Sequence, residues 1–247
     1  MTDNGPDPSL RALIVAAHVD DDAVGFALGL RNRRGAAIAY LTDSAPRDPR
    51  FFVTPSESRE TYARTRRAEA QRAAASLGLA ERALFFLDAV DMEAYRELPR
   101  LDRELRALAT RVAPHILWSP AYDGGHPDHD VAAFLAARVA RRLAVPHWEF
   151  ALYAAGRRFR PLRFSGSDQG VVVRHLTAEE QDFKRRLLSL YASQQSLLAR
   201  VDCTCERYRA APRYDFRRRP VDGATLYESW GWPVTAEHLL AAFDTVD

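Results

Sequence analysis

The sequence predicts an α/β protein with a Rossmann-like, mainly parallel sheet and helices on both of its faces. Three observations support this prediction. Short apolar runs alternate with longer helical segments over the first 145 residues, the helical segments are amphipathic or rich in alanine, and polar residues follow the apolar runs where strands would end. Strands that alternate with helices form parallel sheets through right-handed crossovers.

The elements of the first half follow from these patterns in order. The first strand opens the stretch ALIVAAHVDDD, residues 12–22, and apolar runs predict further strands at residues 36–44, 83–91 and 115–120. Helices are predicted at residues 23–30, 58–79, 98–112 and 131–145. The third of these has apolar residues at positions 98, 101, 105, 108 and 112, which predicts that one side covers the sheet. Residues 47–57 are rich in proline and charge and predict a loop that could wall the site.

The pattern loosens after residue 146. Two later strands are predicted at residues 147–155 and 169–176, separated by the basic segment RRFRPLRF, residues 157–164. Its arginines alternate with aromatic residues, as on phosphate-binding or nucleic-acid-binding surfaces, but without a larger basic patch a solvated loop is favoured. The residues concerned are Arg157, Arg158, Phe159, Arg160, Arg163 and Phe164.

The last third of the chain carries a helix signal and a pair of tryptophans. Thr177 and Glu180 form a capping box that opens a helix running towards residue 198. A short terminal helix is expected near the end of the chain. Trp230 and Trp232 are expected to pack, with an aromatic shelf for a sugar as the alternative.

Length, composition and charge narrow the class of protein. The 247 residues, 47% of them apolar, suffice for one domain over residues 1–247, with residues 1–10 as a flexible N-terminus. The formal charge of +2 requires neither nucleic acid nor an anionic membrane as a partner. No apolar run approaches a membrane span and no signal peptide is recognisable, so a cytoplasmic protein is expected. Cys203 and Cys205 are too few for a disulfide framework, and a reduced loop is favoured over a metal clip.

Two groups of histidines and acids predict a metal site. His18 and Asp21 stand three residues apart after the first strand, so an imidazole and a carboxylate can face a common point. Both are standard zinc ligands, but zinc needs at least three from the protein. The third is sought in GGHPDHD, residues 124–130, where His126 and His129 follow the fourth strand. Because ligands bind beyond the carboxyl ends of strands in open sheets, the two groups are expected to meet.

Asp43 and Ser44 end the second strand and would reach the same rim as His18. The plain interpretation is that they cap or turn the chain. In the alternative interpretation, Asp43 contacts a residue that binds the metal, or the substrate.

These residues resemble the LmbE-like or PIG-L family of zinc-dependent N-deacetylases. That family is marked by AHPDDE after the first strand and by HPDH much later, and this chain has AHVDDD at residues 17–22 and HPDH at residues 126–129. The first motif differs at Val19, where the family has proline, and at Asp22, where it has glutamate. Val19 gives up the fixed φ of proline, and Asp22 has a shorter reach. Neither difference removes a ligand or the base that the resemblance implies.

The residue types and the resemblance agree on three metal ligands with an open fourth position: His18, Asp21 and His129. Zinc lowers the pKa of bound water from 15.7 to about 7, and Asp20 would take a proton from that water as general base. His126 would stabilise the oxyanion as an imidazolium or protonate the leaving amine. Asp128 would orient His126 or raise its pKa.

Two features enter through the resemblance. An arginine from the helix at residues 58–79 can lie near the sugar end of the substrate in that family, and Arg66 or Arg67 matches it; a solvated face is the alternative. A later segment with Tyr191, Ser193 and Gln194 is similar to a recurring segment of the family and is expected to pack.

The predicted function is zinc-dependent deacetylation of an N-acetylated amino sugar of the N-acetylglucosaminyl type, or of a glycoconjugate that carries one. The alternatives are an amidase that removes a larger acyl group and a catalytically silent sugar-binding or regulatory module. The chain has no GxGxxG after the first strand, no GxxxxGK[ST] and no GxSxG, which disfavours nucleotide binders and serine hydrolases. Iron(II) or cobalt would suit the same mixed site, and the oligomeric state stays open, with a homo-oligomer among the alternatives.

Overall fold

A seven-stranded sheet forms the centre of the computed structural model, which describes residues 6–31, 33, 35–155, 160–166 and 168–246. The strands of the described residues are β1 Ala12–Ala16, β2 Ala36–Pro46, β3 Leu84–Asp91, β4 Ile116–Pro120, β5 His147–Phe150, β6 Tyr153–Ala154, β7 Arg160–Pro161, β8 Val172–His175 and β9 Cys205–Ala210. Their order in the sheet is β3-β2-β1-β4-β5-β9-β8, and β6 pairs separately with β7.

The sheet is mainly parallel, as predicted. Five neighbouring strands all run parallel, in the order β3, β2, β1, β4 and β5, whereas β9 is antiparallel to both β5 and β8. The chain builds outward from β1 to β3 on one side and then crosses to β4 on the other side of β1. The switch point of the topology therefore lies between β1 and β4, where open α/β sheets bind their ligands.

Helices cover both faces of the sheet, as the alternating pattern predicts. Those of the described residues are α1 Asp21–Gly25, α2 Ala27–Leu30, α3 Arg59–Ser76, α4 Leu98–Val112, α5 Pro127–Leu143, α6 Ala178–Ser189, α7 Gln195–Leu198, α8 Leu226–Ser229 and α9 Ala236–Phe243. Successive residues of β1 point to opposite faces, so Ile14 joins a core with α3 and α6 while Leu13 joins a core with α4, α5 and α9.

Two helices begin earlier than predicted, and both differences bring acids into a helix. The helix predicted at residues 23–30 begins at Asp21 and is interrupted at Phe26, whose φ of −145° is not helical. The helix predicted at residues 131–145 begins at Pro127, with His126 as its N-cap. Proline suits the first helical position because its φ is already helical, and carboxylates are stabilised near a helix N-terminus.

The loop predicted around the cysteines is wrong at Cys205, which begins β9. Its sequence, CERYRA, hides the strand because Glu206 is buried in the core instead of facing solvent. Lys184 of α6 makes this burial tolerable by pairing with Glu206 at 3.1 Å, and both side chains are fully buried. Cys203 and Cys205 are both free and buried.

Some predictions fall on residues that the structure does not describe. Residues 1–5 of the predicted flexible N-terminus lie outside the described residues, as do Arg157, Arg158 and Phe159 of the basic segment. Phe164 of that segment is buried, with the Arg209 guanidinium 4.2 Å from its ring centre, so the solvated loop does not extend to it. Among the described helices, none combines the length and apolar character needed to cross a bilayer.

Candidate metal centre

The candidate centre lies at the carboxyl ends of β1 and β4, at the switch point of the sheet. His18 and Asp20 lie between β1 and α1, and Asp21 is the first residue of α1. His126 is the N-cap of α5, and His129 lies in the first turn of that helix. The two motifs, separated by more than 100 residues in the chain, therefore meet as the topology predicts.

Asp21 carries an oxygen that is close to both of the imidazoles predicted as ligands. The Asp21 Oδ1 atom lies 3.1 Å from His129 Nε2 and 3.6 Å from His18 Nδ1. Metal–ligand bonds of 2.0–2.2 Å in tetrahedral geometry separate neighbouring ligand atoms by about 3.3 Å. The other Asp21 oxygen accepts the backbone N–H groups of Ala17 and His18 at 2.9 and 2.8 Å, so Oδ1 is held facing the imidazoles. This donor set fits a divalent cation.

Asp91 adds a carboxylate that the sequence analysis did not assign to the site. It ends β3, and its Oδ1 lies 3.1 Å from His18 Nε2 and 3.8 Å from His126 Nε2. Two buried groups have ligand atoms that all lie within 4.8 Å of one another: His18, His126 and His129 form one, and His18, Asp91, His126 and Asp128 form the other. Its position at a strand end is the signal that could have identified it, because the same rule located the other acids.

The electrostatics of the centre favour a positive charge between the imidazoles and the acids. Burial lowers the pKa of His18, but Asp91 and Asp21 outweigh that effect and raise it well above its usual value. Burial raises the pKa of Asp91, but His18 and then His126 lower it to about 2. Asp21 is likewise held ionised, because His129 and His18 overcome its burial and lower its pKa well below the usual value. A field that retains a proton on His18 also attracts a metal cation.

Asp20, the predicted base, is held by an arginine from α3. The Arg66 Nη2 atom lies 3.0 Å from Asp20 Oδ2, and Arg66 is only 2% exposed. The adjacent Arg67 has 43% of its side chain exposed, pairs with Asp88 and lies over the Phe86 ring. Of the two candidate arginines, Arg66 therefore reaches the centre and Arg67 lies on the outer side of α3.

Arg66 is in turn held by the late segment that the resemblance singles out. Its Nη1 atom lies 3.3 Å from Glu69 Oε2. Glu69 accepts hydrogen bonds from the Ser193 backbone N–H at 2.8 Å and from the Ser193 hydroxyl at 2.6 Å. The Gln194 amide donates to the Tyr62 hydroxyl at 2.6 Å. The segment packs, as expected, and it also supports the residues behind Asp20.

His126 is oriented by a backbone group. The Asp128 N–H donates to His126 Nδ1 at 3.1 Å, so Nδ1 accepts and the proton of the neutral ring lies on Nε2, facing the centre. Burial and the neighbouring His18 and His129 lower the pKa of His126 well below its usual value. The Asp128 carboxylate instead accepts the N–H groups of Met92 and Ala94, at 2.6 and 3.1 Å.

Two glycines and a buried acid shape the loop before His126. Gly124 has a φ of +70°, and a Cβ atom at Gly125 would collide with the Tyr153 carbonyl oxygen. Asp130 closes the loop by accepting the Asp123 and Gly124 N–H groups at 3.2 and 3.1 Å. The Tyr227 hydroxyl of α8 donates to the other Asp130 oxygen at 3.2 Å, which ties the C-terminal part of the chain to the site.

The end of β2 supports the loop after β1. The Ser44 hydroxyl accepts the Val19 N–H at 3.0 Å, so Ser44 does reach the rim near His18. The half-buried Asp43 accepts the Ala45 N–H and pairs with Arg59, in line with the turn interpretation. Burial raises the pKa of Asp43 to about 6.

Aromatic side chains border the centre beside His126 and His129. The Trp232 ring lies 5.1 Å from the His126 ring, and the Tyr153 ring lies 5.2 Å from the His129 ring. The predicted packing of Trp232 is thus packing against a residue of the centre. No sequence pattern places Tyr153 there.

The comparisons with known proteins agree with this architecture. The A40926 pseudoaglycone deacetylase Dbv21 has 16% identity and a TM-score of 0.63, covering 83% of this chain and 98% of its own. A zinc-inhibited form of teicoplanin deacetylase Orf2 has 16% identity and a TM-score of 0.61, covering 83% and 99%. N,N'-diacetylchitobiose deacetylase from Pyrococcus horikoshii has 17% identity and a TM-score of 0.60, covering 85% and 87%. No curated protein sequence matches the chain significantly.

A family model identifies the class of protein. Residues 13–140, just over half of the chain and including both motifs, match the family PIG-L, described as GlcNAc-PI de-N-acetylase. The chain is thus a hydrolase of the deacetylase class with a mainly parallel α/β sheet. It belongs to the PIG-L family, which confirms the resemblance drawn from its two motifs.

Proposed function

We propose that the protein is a zinc-dependent deacetylase of an N-acetylated amino sugar or of a conjugate that carries one. The observation that carries this proposal is that Asp21, the residue after Asp20, has its Oδ1 atom 3.1 Å from His129 Nε2 and 3.6 Å from His18 Nδ1. Two structural neighbours support the substrate class, since one is an N,N'-diacetylchitobiose deacetylase and the other is the A40926 pseudoaglycone deacetylase.

The residues would divide the chemistry between them. His18, Asp21 and His129 would hold a divalent ion, and the chemistry that such an ion would supply is that of a Lewis acid towards water and the amide carbonyl. Asp20 accepts the proton of the attacking water, while Arg66 keeps its carboxylate in place. The Nε2–H of His126 donates a hydrogen bond to the amide oxygen as negative charge develops there.

Zinc is the proposed metal because two imidazoles and one carboxylate are ligands it favours. A neighbouring deacetylase is described in a zinc-inhibited form, so excess zinc needs separate control in any assay. Iron(II) and cobalt suit the same ligands and belong in the same experiment.

The test is acetate release from N-acetylglucosaminyl compounds by protein stripped of metal and then restored with one equivalent of zinc, cobalt or iron(II). Asp21→Asn is expected to lose bound metal, and Asp20→Asn to retain metal while turnover falls by about 10²- to 10⁴-fold. Asp88→Asn is the matched control, because Asp88 is an exposed acid paired with Arg67.

The result has a clear contrary outcome. Acetate release that does not depend on metal, or full metal binding by Asp21→Asn, would contradict the proposed centre. Loss of metal in Asp20→Asn would make Asp20 a ligand instead of a base.

A further inference from the structure

The C-terminal segment presents two tryptophans through a helix-terminating turn. After α8 the Gly231 N–H donates to the Glu228 carbonyl at 3.0 Å, and the Trp232 N–H donates to the Tyr227 carbonyl at 2.9 Å. With a φ of +70° at Gly231, these bonds form a Schellman motif. The motif fixes the backbone on both sides of Gly231 and brings the rings of Trp230 and Trp232 to 5.3 Å from each other.

Ring contacts link the two tryptophans to the histidines of the centre. Trp232 lies 5.1 Å from His126, Trp230 lies 6.4 Å from Tyr153, and Tyr153 lies 5.2 Å from His129, all between ring centres. Tyr153, Trp230 and Trp232, here called the aromatic shelf, therefore run outward from the two imidazoles. Trp230 is at the outer end, one ring beyond Trp232.

The aromatic shelf is attached firmly to the loop that carries His126. The Leu226 N–H at the start of α8 donates to the Gly124 carbonyl at 2.9 Å. The Tyr227 hydroxyl binds Asp130, which also closes that loop. A ligand on the aromatic shelf is consequently held at a fixed position relative to the centre, because these hydrogen bonds join α8 to the loop that carries His126.

The outer end of the aromatic shelf faces solvent. Three large apolar side chains are exposed among the described residues: Val173 at 39%, Leu197 at 54% and Trp230 at 47%. Val173 lies on the edge strand β8 and Leu197 on α7, whereas Trp230 adjoins the candidate centre. An exposed aromatic ring beside a buried polar site is a typical ligand contact.

We infer that the aromatic shelf is a second binding subsite, which holds a saccharide ring linked to the N-acetylated sugar. This inference rests on the proposed function. A saccharide ring has an apolar C–H face and a rim of hydroxyl groups, and tryptophan and tyrosine offer a flat apolar face with a polar edge. A long acyl chain would gain most from an enclosed apolar channel, whereas Trp230 leaves 47% of its surface in solvent.

The kinetic test compares N-acetylglucosamine with N,N'-diacetylchitobiose, using zinc-loaded wild type, Trp230→Ala and Leu197→Ala. The ratio of kcat/KM for the disaccharide to that for the monosaccharide is expected to fall about 5- to 10-fold in Trp230→Ala, the loss of one stacking contact. Leu197→Ala, which removes an equally exposed apolar side chain on α7, is expected to leave this ratio unchanged.

N-hexanoylglucosamine, a monosaccharide with a longer acyl group, distinguishes the alternative occupant. A loss in Trp230→Ala confined to this compound would assign the aromatic shelf to the acyl group and overturn the inference. An unchanged ratio of disaccharide to monosaccharide would overturn it as well.

A binding measurement separates the inference from the proposed function. Chitobiose, which carries no acetyl group, is titrated into zinc-loaded protein while the heat of binding is recorded by calorimetry. A saturable heat in wild type that is lost in Trp230→Ala would support the aromatic shelf even if no amide were hydrolysed. The absence of any heat in wild type with either disaccharide would overturn it, whatever the activity.

Discussion

Arg66→Met is the substitution that most directly tests how Asp20 is held. Arg66 is buried and bridges two acids, lying 3.0 Å from Asp20 and 3.3 Å from Glu69. Methionine retains much of the length of the side chain but removes both ion pairs. We expect Asp20 to lose its fixed position while the proposed metal ligands keep theirs, because Asp21 is held by the backbone N–H groups of Ala17 and His18.

The expected loss follows from what positioning contributes. A general base supplies about 10²- to 10⁴-fold in rate, and a displacement of about 1 Å can cost about 10²-fold. We therefore expect kcat to fall by about 10- to 100-fold in Arg66→Met, with a smaller effect on KM. Arg66→Lys should recover part of the loss, because an ammonium group can pair with Asp20 but cannot bridge to Glu69 in the same planar geometry.

The assay measures kcat, KM and bound zinc for each variant, together with its melting temperature. Arg67→Met is the matched control, since Arg67 is the next residue of α3 and pairs with Asp88 on the outer side. A raised KM with unchanged kcat in Arg66→Met would show that Arg66 binds the sugar and does not position the base. An equal loss in Arg67→Met would refute the distinction between the two arginines.

Two further predictions concern stability. Lys184→Met should lower the free energy of unfolding by about 3–5 kcal/mol, because it leaves Glu206 buried without its charged partner. Adding Glu206→Leu should restore most of that loss. A loss below about 1 kcal/mol for Lys184→Met in urea denaturation would contradict this account. Burial lowers the pKa of His147 to about 4, so below about pH 6.5 His147 binds a proton in the unfolded chain but not in the folded chain. The contribution of neutral His147 to the free energy of unfolding is therefore fully present above about pH 6.5 and is lost as the pH falls towards 4. Relative to His147→Gln, the free energy of unfolding of wild type should fall by about 2 kcal/mol between pH 7 and 4.5. A difference between the two proteins that does not vary with pH would contradict the prediction.

The strands and helices of the parallel half of the fold could be predicted from the sequence because their signals are local. Buried parallel strands are continuous apolar runs, and β1 is fully buried along its length. The amphipathic helix predicted at residues 98–112 is α4, Leu98–Val112. The β9 strand was not predicted because its alternation places Glu206 inside, where Lys184 and the Leu28 N–H, both distant in sequence, make that residue compatible with a core.

The candidate site shows the same division between local and distant information. The two motifs predicted where histidines and acids gather, since each follows a strand whose end could be read from the sequence. The hydrogen bonds that support those residues could not be predicted from the sequence, because Glu69 and Ser193 are 124 residues apart and Tyr227 and Asp130 are 97 residues apart. Hydrogen bonds over such separations leave no periodic pattern in either partner.

The two departures from the family motif illustrate what those distant contacts do. Proline at position 19 would fix φ but would have no N–H, whereas Val19 donates its N–H to Ser44 at 3.0 Å. Asp22, shorter than glutamate, accepts the Tyr40 hydroxyl at 3.2 Å, and burial raises its pKa to about 8. In both cases a hydrogen bond to β2 replaces support that the motif would have supplied within the loop. The positions of His18 and Asp21 thus depend on β2 in this chain, so substitutions at Ser44 or Tyr40 reach the centre although neither residue belongs to a motif.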